Sequence, residues 1–455
     1  MSAAQPQGRI EADPDDGARP IVVDPNPQFP RQALHAVYDL AWFVAMILGS
    51  PWLVWRSLRS EAFRRMVLER AGLRVPKLSS DGPTRMLVHG VSVGEIKAAQ
   101  ALVARARQTH PDLEVVLCTT TDTSQEVARG LFPDLRVVRF PADPTPIVRR
   151  FFDRVRPDLV VLMELEIWPN FLRAANRRGI PVAVVNGRIT ERSYPRYRLF
   201  RSVFPQFNRI SLFCVQSETY ASRFRRLQVD PARVHVTGNI KIDGLRVGRV
   251  EPGAELAELL GAADGRPVFV AGSTHAPEER LVAEAWRDSA HQSRLILVPR
   301  HPERAPDVVR DLTAIGLPPQ RLTALRAGEA PEPGRPVIVD TIGELEAVFG
   351  LADVAFVGGS LMPHGGQNVL EPAAQGLPVL FGPHMQNFVS EVALLKEHGG
   401  CRQVADAAEL GRVVAELLAD PEAVRALGRA GEEVVSAQRG ATEATWARLA
   451  GCFGL

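Results

Sequence analysis

Residues 85–96 read RMLVHGVSVGEI and decide the fold. Met86–His89 is a short apolar segment of the kind that forms a buried strand. The two glycines of Gly90–Glu95 allow a sharp backbone turn, and we expect a helix from Ile96 onward. A strand, a tight turn and a helix in this order form the repeating unit of a parallel α/β sheet.

The same unit recurs along the chain in two series. The first series has five further predicted strands, at residues 115–119, 135–140, 159–162, 182–186 and 212–216. The second series has strands at residues 268–271, 295–299, 337–340, 354–357 and 379–381. The chain has 455 residues, which is too long for one ordinary core. We therefore predict an α/β protein with two Rossmann-like domains, whose ligands bind at the carboxyl ends of the strands.

The composition excludes several classes of protein. A net charge of +2 gives no overall electrostatic case for binding nucleic acid. The four cysteines form no C-x-x-C pair, and Cys118 and Cys214 lie in apolar, strand-like runs. We expect buried free thiols rather than a zinc site or a disulfide.

An uncharged apolar stretch, Leu40–Trp55, follows about thirty polar residues that we predict to be disordered. It can extend back to Ala33 only by including His35 and Asp39, and Ser50-Pro51 is expected to interrupt it. We predict a membrane anchor at residues 33–56. A signal peptide and a buried core helix are the alternatives.

The residues that flank this stretch favour the anchor. Tryptophans at 42, 52 and 55 suit a membrane interface, and arginines at 56, 59, 64, 65 and 70 follow. The positive-inside rule then keeps the rest of the chain in the cytoplasm. Whether the segment spans the bilayer or lies in it is open at this point.

Charged residues follow the predicted strands of the first domain. The turn after the first strand places Glu95 in the first turn of a helix, where it could act as a general base; an ordinary helix-start glutamate is the alternative. If the predicted strand at residues 159–162 continued past Met163, Glu164 and Glu166 would point to the same side of the sheet. Lys241 is a candidate for holding a negatively charged group.

The run at residues 188–201 (RITERSYPRYRLFR) is basic and aromatic. It is either a solvated helix face or a patch that meets acidic lipid headgroups or a phosphorylated acceptor.

A glycine-rich segment is the main signal in the second domain. Gly358-Gly359-Ser360 continues to Gly365-Gly366 and a helix start near Glu371, and its backbone N–H groups could hold phosphate. Glu371 could accept hydrogen bonds from ribose hydroxyls, and Arg300 could pair with phosphate. A structural turn is the alternative. The spacing matches neither the G-x-G-x-x-G fingerprint nor a Walker A loop.

Together, nine short motifs resemble those of the bacterial 3-deoxy-D-manno-octulosonic acid (Kdo) transferases. They are S-V-G-E at 92–95, E-x-E-x-W-P-N at 164–170, G-N-I-K-I-D at 238–243, S-T-H at 273–275, V-P-R-H-P-E-R at 298–304, G-E-L at 343–345, A-D-V-A-F-V-G-G-S at 352–360, G-G-Q-N-V-L-E-P-A-A at 365–374 and G-P-H-M-Q-N-F at 382–388. The resemblance is collinear over roughly residues 35–450. It implies the two-domain GT-B glycosyltransferase fold and transfer of Kdo from CMP-Kdo to the lipid A precursor, lipid IV-A.

The resemblance also implies roles for single residues. Glu95 would be the general base, and Glu164 and Lys241 would support the transition state at the anomeric carbon. The residues implied to bind CMP are Pro299, Arg300, Ile342, Gly343, Glu344, Asn368, Val369, Leu370 and Glu371. The transfer would invert the anomeric centre and require no metal and no cofactor.

The resemblance implies a domain plan as well. After the anchor, an acceptor domain would span residues 57–245 and a CMP-Kdo-binding domain residues 246–455, with the last helix returning to the first domain. The protein would work on the cytoplasmic side of the bacterial inner membrane, with CMP-Kdo, the lipid acceptor and the membrane surface as its partners.

Two other functions remain possible on the sequence. One is a different GT-B enzyme, either another nucleotide-sugar transferase or a UDP-sugar epimerase; an epimerase should lack both the anchor and the E-x-E-x-W-P-N run. The other is a membrane-tethered nucleotide-binding scaffold without catalysis, which would tolerate loss of Glu95.

Overall fold

A computed structural model describes residues 32–203 and 206–455. The predicted disorder of residues 1–30 lies outside the described residues. The contacts divide the chain into two units. One contains the chain up to Gly244 together with Arg439–Leu455, and the other is Leu245–Gln438.

The first unit is built on a seven-stranded sheet in the order β3-β2-β1-β4-β5-β6-β7, in which all neighbouring strands are parallel. Its strands are β1 (Arg85–Gly90), β2 (Glu114–Thr119), β3 (Arg136–Arg139), β4 (Leu159–Met163), β5 (Val182–Gly187), β6 (Leu212–Val215) and β7 (Val234–Val236). The strand order reverses between β1 and β4. In an open parallel sheet, the carboxyl ends of the strands at such a point form a crevice for ligands.

Helices cover both faces of this sheet. They are α1 (Gln32–Arg59), α2 (Glu61–Arg70), α3 (Val93–Thr109), α4 (Asp122–Leu131), α5 (Thr145–Val155), α6 (Pro169–Arg177), α7 (Tyr194–Val203), α8 (Glu218–Arg226) and α9 (Ile240–Asp243). The central strands are buried along their whole length, which explains their continuous apolar runs.

The first helix differs from the sequence prediction in one respect. Ser50-Pro51 does not interrupt it, and α1 runs through Pro51 to Arg59. Proline has no N–H to donate to the carbonyl of Ile47, but the Ser50 hydroxyl donates a hydrogen bond of 2.8 Å to that carbonyl. The serine therefore satisfies the backbone group that the proline leaves without its usual donor.

The second unit contains another parallel seven-stranded sheet, in the order β10-β11-β9-β8-β12-β13-β14. Its strands are β8 (Val268–Thr274), β9 (Arg294–Pro299), β10 (Gln320–Arg321), β11 (Val337–Ile338), β12 (Val354–Val357), β13 (Val379–Phe381) and β14 (Cys401–Gln403). Its helices are α10 (Ala254–Leu259), α11 (Glu278–Ser289), α12 (Ala305–Ala314), α13 (Leu322–Arg326), α14 (Leu345–Leu351), α15 (Leu370–Ala374), α16 (Val389–Glu397), α17 (Ala407–Ala419) and α18 (Pro421–Ala437). Here the strand order reverses between β8 and β12.

The last helix, α19 (Ala441–Phe453), packs against α3 and α9 of the first unit. Asp243, at the end of α9, accepts hydrogen bonds from the backbone N–H groups of Gly440 and Thr442 at the start of α19. Trp446 and Leu449 are buried in the core of the first unit. Polar and apolar contacts thus hold the C-terminus on the first sheet.

The prediction of buried free thiols is confirmed. Cys118, Cys214, Cys401 and Cys452 are all free and buried. Burial raises the pKa of Cys214 to about 12 and that of Cys401 to about 11. These thiols are unreactive core residues.

Candidate active site

Glu95 lies at the start of α3, directly after β1. Its carboxylate accepts hydrogen bonds from the Val91 N–H at 2.9 Å, the Ser92 N–H at 3.3 Å and the Ser92 hydroxyl at 2.7 Å, and the Ser92 hydroxyl oxygen accepts from the Glu95 N–H. This reciprocal pair of hydrogen bonds is a capping box. Glu95 therefore does have the role of an ordinary helix-start glutamate, whether or not it also acts as a base. A carboxylate offers about four acceptor positions, and three donors leave one for a ligand.

Glu164 follows β4, the neighbour of β1 at the point where the strand order reverses. Its φ of +57° is unusual for a residue with a side chain. Its carboxylate receives the Lys241 ammonium at 2.6 Å and the Arg188 guanidinium at 3.3 Å. Strained backbone of this kind persists where the surroundings fix it, often at functional sites.

The condition under which Glu164 and Glu166 would share one side of a strand is not met. β4 ends at Met163, and the left-handed conformation of Glu164 ends the alternation. Glu166 instead accepts a 2.9 Å hydrogen bond from the Trp168 indole. Burial raises the pKa of Glu166, and the negative charges of Glu95 and Glu164 act in the same direction. Three carboxylates therefore lie in one region at the carboxyl edge of the sheet.

Asn186 positions the lysine of this region. It also has a positive φ, of +55°, and its side-chain carbonyl accepts a 3.1 Å hydrogen bond from the Ile240 N–H at the start of α9. Lys241 is the next residue, and its N–H donates to the Asn239 side chain. The end of β5 thus fixes the short helix that carries the ammonium group to Glu164.

Glu95, Glu164 and Lys241, the three catalytic candidates from the sequence, therefore lie at one edge of one sheet. The three carboxylates offer oxygen atoms to a hydroxyl, and the two cations neutralise part of their charge. Within the described residues, no group of three or more His, Cys, Asp or Glu side chains could hold a metal ion. The arrangement suits proton transfer from a hydroxyl.

The predicted CMP-binding residues follow neighbouring strands of the second sheet. Pro299 ends β9 and is buried, whereas Arg300 is exposed. No hydrogen bond or ion pair ties the Arg300 guanidinium to another described residue, and only its backbone N–H is bound, to the Thr274 carbonyl. An unpaired arginine at the carboxyl end of a central strand is suited to a phosphate group.

Residues 342–344 follow β11, beside β9. The Ile342 side chain is 89% exposed, which is unusual for so large an apolar group. Gly343 has a φ of +92°, a conformation that glycine adopts without strain. Glu344 accepts a 2.8 Å hydrogen bond from Arg326. This loop therefore presents an exposed apolar side chain at the carboxyl edge of the second sheet.

Residues 368–371 lead into α15. Val369 and Leu370 are buried in the core of the unit, so only their backbone groups can contact a ligand. Glu371 is exposed, and its carboxylate accepts a 3.1 Å hydrogen bond from the Asn368 amide. Polar groups from these two side chains remain at the surface.

At the start of the glycine-rich turn after β12, the backbone N–H groups already have an acceptor within the protein. The N–H groups of Gly359, Ser360 and Leu361 all donate to the carboxylate of Glu278, at 2.6, 2.8 and 2.9 Å. The His275 N–H donates to the same carboxylate at 2.9 Å. Glu278 is fully buried and so occupies the anion position that the turn forms.

A histidine cluster lies beside this turn, and no role was predicted for it from the sequence. The rings of His275 and His364 stack with centroids 4.6 Å apart, and His301 packs edge-on to His275 at 5.8 Å. The Gln367 amide donates to His275 Nε2 at 3.1 Å. Burial lowers the pKa of His275, with a further contribution from His364. The S-T-H run at the end of β8 was the signal for His275.

A family model and two curated relatives point to the same family. Residues 65–244 match the family model described as 3-deoxy-D-manno-octulosonic-acid transferase (kdotransferase). The chain is 34% identical over 396 residues to the 3-deoxy-D-manno-octulosonic acid transferase of Haemophilus influenzae, covering 85% of this chain and 91% of that protein. It is 32% identical to the enzyme of the same name from Bordetella pertussis, covering 87% and 94%.

Solved structures share the two-domain architecture at much lower sequence identity. One is a putative UDP-N-acetylglucosamine 2-epimerase from Listeria monocytogenes, with a TM-score of 0.54, 14% identity and coverage of 78% of this chain and 94% of that chain. At 14% identity this likeness shows the fold alone, which is the GT-B arrangement of two Rossmann-like domains. On the strength of its relatives, the chain belongs to the 3-deoxy-D-manno-octulosonic acid transferase family of glycosyltransferases.

Proposed function

We propose that this protein transfers Kdo from CMP-Kdo to a lipid A precursor, lipid IV-A, at the cytoplasmic surface of the bacterial inner membrane. The observation that carries the proposal is the placement of Glu95, Glu164 and Lys241 at the point where the first sheet reverses its strand order, in a chain with Kdo transferase relatives over most of its length.

Glu95 is the general base. One acceptor position on its carboxylate is free, and its two oxygens are held in place by donors from Val91 and Ser92. It takes the proton of the acceptor hydroxyl as the hydroxyl oxygen bonds to the anomeric carbon. The bond from that carbon to the CMP phosphate oxygen breaks on the opposite side, so the anomeric centre inverts and CMP leaves.

Glu164 and Lys241 support the transition state. The anomeric carbon gains positive charge as the bond to CMP breaks, and the Glu164 carboxylate stabilises that charge. Lys241 holds this carboxylate through its 2.6 Å contact. The pair is fixed before reaction by Asn186 and by the turn after β4, so no reorganisation is needed.

The second unit, which follows Gly244, binds the donor. Arg300 pairs with the phosphate, the exposed Ile342 packs against cytosine, and Glu371 accepts hydrogen bonds from ribose hydroxyls. Pro299, Gly343, Glu344, Asn368, Val369 and Leu370 shape this site. The unpaired guanidinium of Arg300 and the 89% exposure of Ile342 support the assignment. No metal or cofactor takes part in this mechanism.

The apolar helix α1 anchors the protein. Leu34–Arg59 is long and apolar enough to cross a membrane, and none of its apolar window is buried in the protein. An acceptor with acyl chains stays in the bilayer, so an anchor keeps the enzyme beside it.

The direct test is incubation with CMP-Kdo and tetra-acylated lipid A precursor, followed by mass spectrometry of the lipid. We expect the lipid to gain the mass of Kdo and CMP to be released. An unchanged lipid mass with intact CMP-Kdo would refute the proposal. Incubation with UDP-N-acetylglucosamine in place of CMP-Kdo would then test the epimerase alternative.

A further inference from the structure

The exposed apolar face of α1 is a surface that the proposed chemistry does not use. Its apolar side chains are half exposed or more at nine positions, namely Val37, Leu40, Phe43, Ile47, Leu48, Trp52, Val54, Trp55 and Leu58. Soluble surfaces rarely carry so large a contiguous apolar patch. Such a face requires a partner, and the position of α1 on the first unit restricts which one.

The N-terminal end of α1 is held to the Rossmann-like sheet by hydrogen bonds. Asp39 accepts from the N–H and the hydroxyl of Thr145, at 2.9 and 2.6 Å, and from the Asn170 amide at 2.8 Å. His35, one turn earlier, lies 3.0 Å from the same Asn170 side chain. Breaking this cluster would leave buried polar groups without partners.

The C-terminal end of α1 is held to the same unit through α2. The Trp52 and Phe63 rings meet edge to face at 5.5 Å, which packs the two helices together. At the end of α2, Glu69 pairs with Arg139 at 2.8 Å, and the Arg70 carbonyl accepts from the Ala142 N–H. Ala142 is only three residues before Thr145, so both ends of α1 are tied to the loop that follows β3.

The lengths of the two helices exclude a spanning α1. A crossing helix must place its ends on opposite faces of a hydrocarbon core about 30 Å thick. The ten residues of α2 reach only about 15 Å from Ser60. A spanning α1 would therefore draw the ion pair of Glu69 and Arg139 into the hydrocarbon, where charges are strongly disfavoured.

We propose that α1 lies in the plane of an anionic phospholipid bilayer, with its apolar face among the acyl chains and both ends on the side of the first Rossmann-like unit. The proposal rests on the membrane association proposed above and specifies its geometry. An in-plane amphipathic helix buries its apolar face about 5–10 Å below the headgroups.

Basic side chains beside α1 fit the headgroups of such a bilayer. The Arg56 and Arg59 guanidinium groups lie over the rings of Trp52 and Trp55, 5.2 and 4.3 Å from their centroids. Thr145, which binds Asp39, also lines a cavity of about 610 Å³. The cavity is bordered by Lys77, Arg149 and Arg150, which are exposed and unpaired within the described part of the chain.

The in-plane position brings the lipid to the catalytic edge of the sheet. The N-terminal end of α1 contacts Thr145 after β3 and Asn170 after β4. Glu95 and Glu164 follow β1 and β4 at the same carboxyl edge. The bilayer surface is therefore next to the carboxylates that receive an acceptor hydroxyl.

Reporter fusions at the N-terminus of the full chain test the topology in bacterial cells. An in-plane α1 leaves the N-terminus in the cytoplasm, so a green fluorescent protein fusion is fluorescent and an alkaline phosphatase fusion is inactive. A spanning α1 would place the N-terminus outside the cytoplasm, so the green fluorescent protein fusion would be dark and the alkaline phosphatase fusion active. Active alkaline phosphatase on a protein that still transfers Kdo would overturn the in-plane proposal and leave the proposed function intact.

A depth measurement in vesicles gives a second, independent result. All four native cysteines are buried, so Ile47→Cys can carry a single nitroxide in vesicles that contain phosphatidylglycerol. Ile47 is near the middle of α1. We expect a depth of about 5–10 Å for an in-plane helix, against about 15 Å at the bilayer centre for a spanning one. Val389→Cys, exposed in the second unit, is the aqueous control.

The same labelled protein separates the remaining outcomes. A nitroxide that stays in water on a chain that does not sediment with vesicles would refute membrane association itself. Spin–spin broadening without lipid binding would show that the face is covered by a second copy of the chain, and would also overturn the proposal. Neither result would alter the transfer assay in detergent, which tests the chemistry alone.

Discussion

The Nζ atom of Lys241 lies 2.6 Å from Oε1 of Glu164, although 77 positions separate the two residues in the chain. The contact joins the residue that follows β4 to the short helix that follows β7. Glu164 keeps a positive φ in this position, and Arg188 approaches its other oxygen at 3.3 Å. Residues that follow three different strands, β4, β5 and β7, therefore hold the Glu164 carboxylate in place. A catalytic group that must keep its orientation during a reaction needs such support.

Replacement of Lys241 tests this pair. We expect Lys241→Met to lower kcat about 10²- to 10³-fold, since the carboxylate loses the cation that orients it, and to change the KM for the donor much less. Steady-state kinetics measure the effects on kcat and on the KM for the donor separately. Lys396→Met, at an exposed lysine of the second unit, should keep the wild-type kcat. A Lys241→Met enzyme with normal kcat would remove the pair from the mechanism.

The capping box allows the two roles of Glu95 to be separated. Ser92→Ala removes the cap and one donor to the carboxylate but keeps the base, so it should lower the free energy of unfolding by about 1 kcal/mol and lower kcat much less than loss of the carboxylate does. Glu95→Gln keeps the size of the side chain but cannot accept a proton, and should lower kcat about 10²- to 10⁴-fold. Equal losses of activity and stability in the two variants would reduce Glu95 to a structural residue.

The fold was largely predictable because the central strands carry continuous apolar runs. Val354–Val357 and Val379–Phe381 were predicted with the bounds that the structure has. The strands that the prediction missed, β7, β10 and β14, have two or three residues and lie at or near sheet edges. A strand of two or three residues is too short to show an alternating pattern. It forms because it pairs with strands that are distant in sequence, which a local pattern cannot indicate.

Glu278 is predicted to hold the second sheet together. Glu278→Ala leaves four backbone N–H groups without an acceptor in a buried site, so we expect it to lower the free energy of unfolding by about 3 kcal/mol or more. CMP affinity should fall as well, because the turns after β8 and β12 lose their common contact.

Denaturant titration and calorimetry of CMP binding measure both effects. Glu284→Ala is the matched control on the same helix, because among the described residues its carboxylate makes only an i,i+4 pair with Arg280. That change should cost about 0.5 kcal/mol or less. If the two variants were equally stable, the role given to Glu278 would be wrong.

The site was predictable where a charged residue directly follows a predicted strand. It was less predictable where side chains make contacts between strands that are distant in sequence. Glu95, Glu164 and Lys241 were found in this way. The role of Glu278 was not, because a glutamate at a helix start looks ordinary in sequence. Only the folded sheet shows that its carboxylate fills the turn at Gly359, 81 positions away.

His89 gives the protein a defined pH dependence. It is fully buried in β1, its Nδ1–H donates to the Cys118 carbonyl at 2.9 Å, and its ring stacks on Phe140. Burial lowers its pKa from 6.5 to about 4. The unfolded chain therefore takes up a proton below about pH 6.5, whereas the folded chain does not do so until about pH 4.

Stability should consequently fall as the pH drops from about 6.5 to 4 and be independent of His89 above that range. The loss through this residue is on the order of 3 kcal/mol. Urea titrations at several pH values measure it, and His89→Gln should have a shallower slope over the same range. Parallel slopes for the two proteins would contradict the assignment.

The apolar face of α1 can be changed without disturbing the fold. Leu48 is 77% exposed, so Leu48→Asp should leave the free energy of unfolding nearly unchanged. It replaces an apolar side chain that lipid would bury with a charge, and burying a leucine contributes about 1.5–3 kcal/mol. We therefore expect vesicle affinity to fall at least about 10-fold in a sedimentation assay, with transfer to a detergent-solubilised acceptor unchanged.

Leu199→Asp is the matched variant, because Leu199 is 71% exposed on α7, within the basic run at residues 188–201. If α1 alone provides the apolar contact, Leu199→Asp should bind vesicles like the wild type. An equal loss of vesicle affinity in both variants would show that the basic run at residues 188–201 also contacts the membrane surface. Unchanged binding of Leu48→Asp would instead mean that the exposed face of α1 does not contact lipid. A charge at so exposed an apolar position would otherwise have to enter the hydrocarbon, which weakens binding.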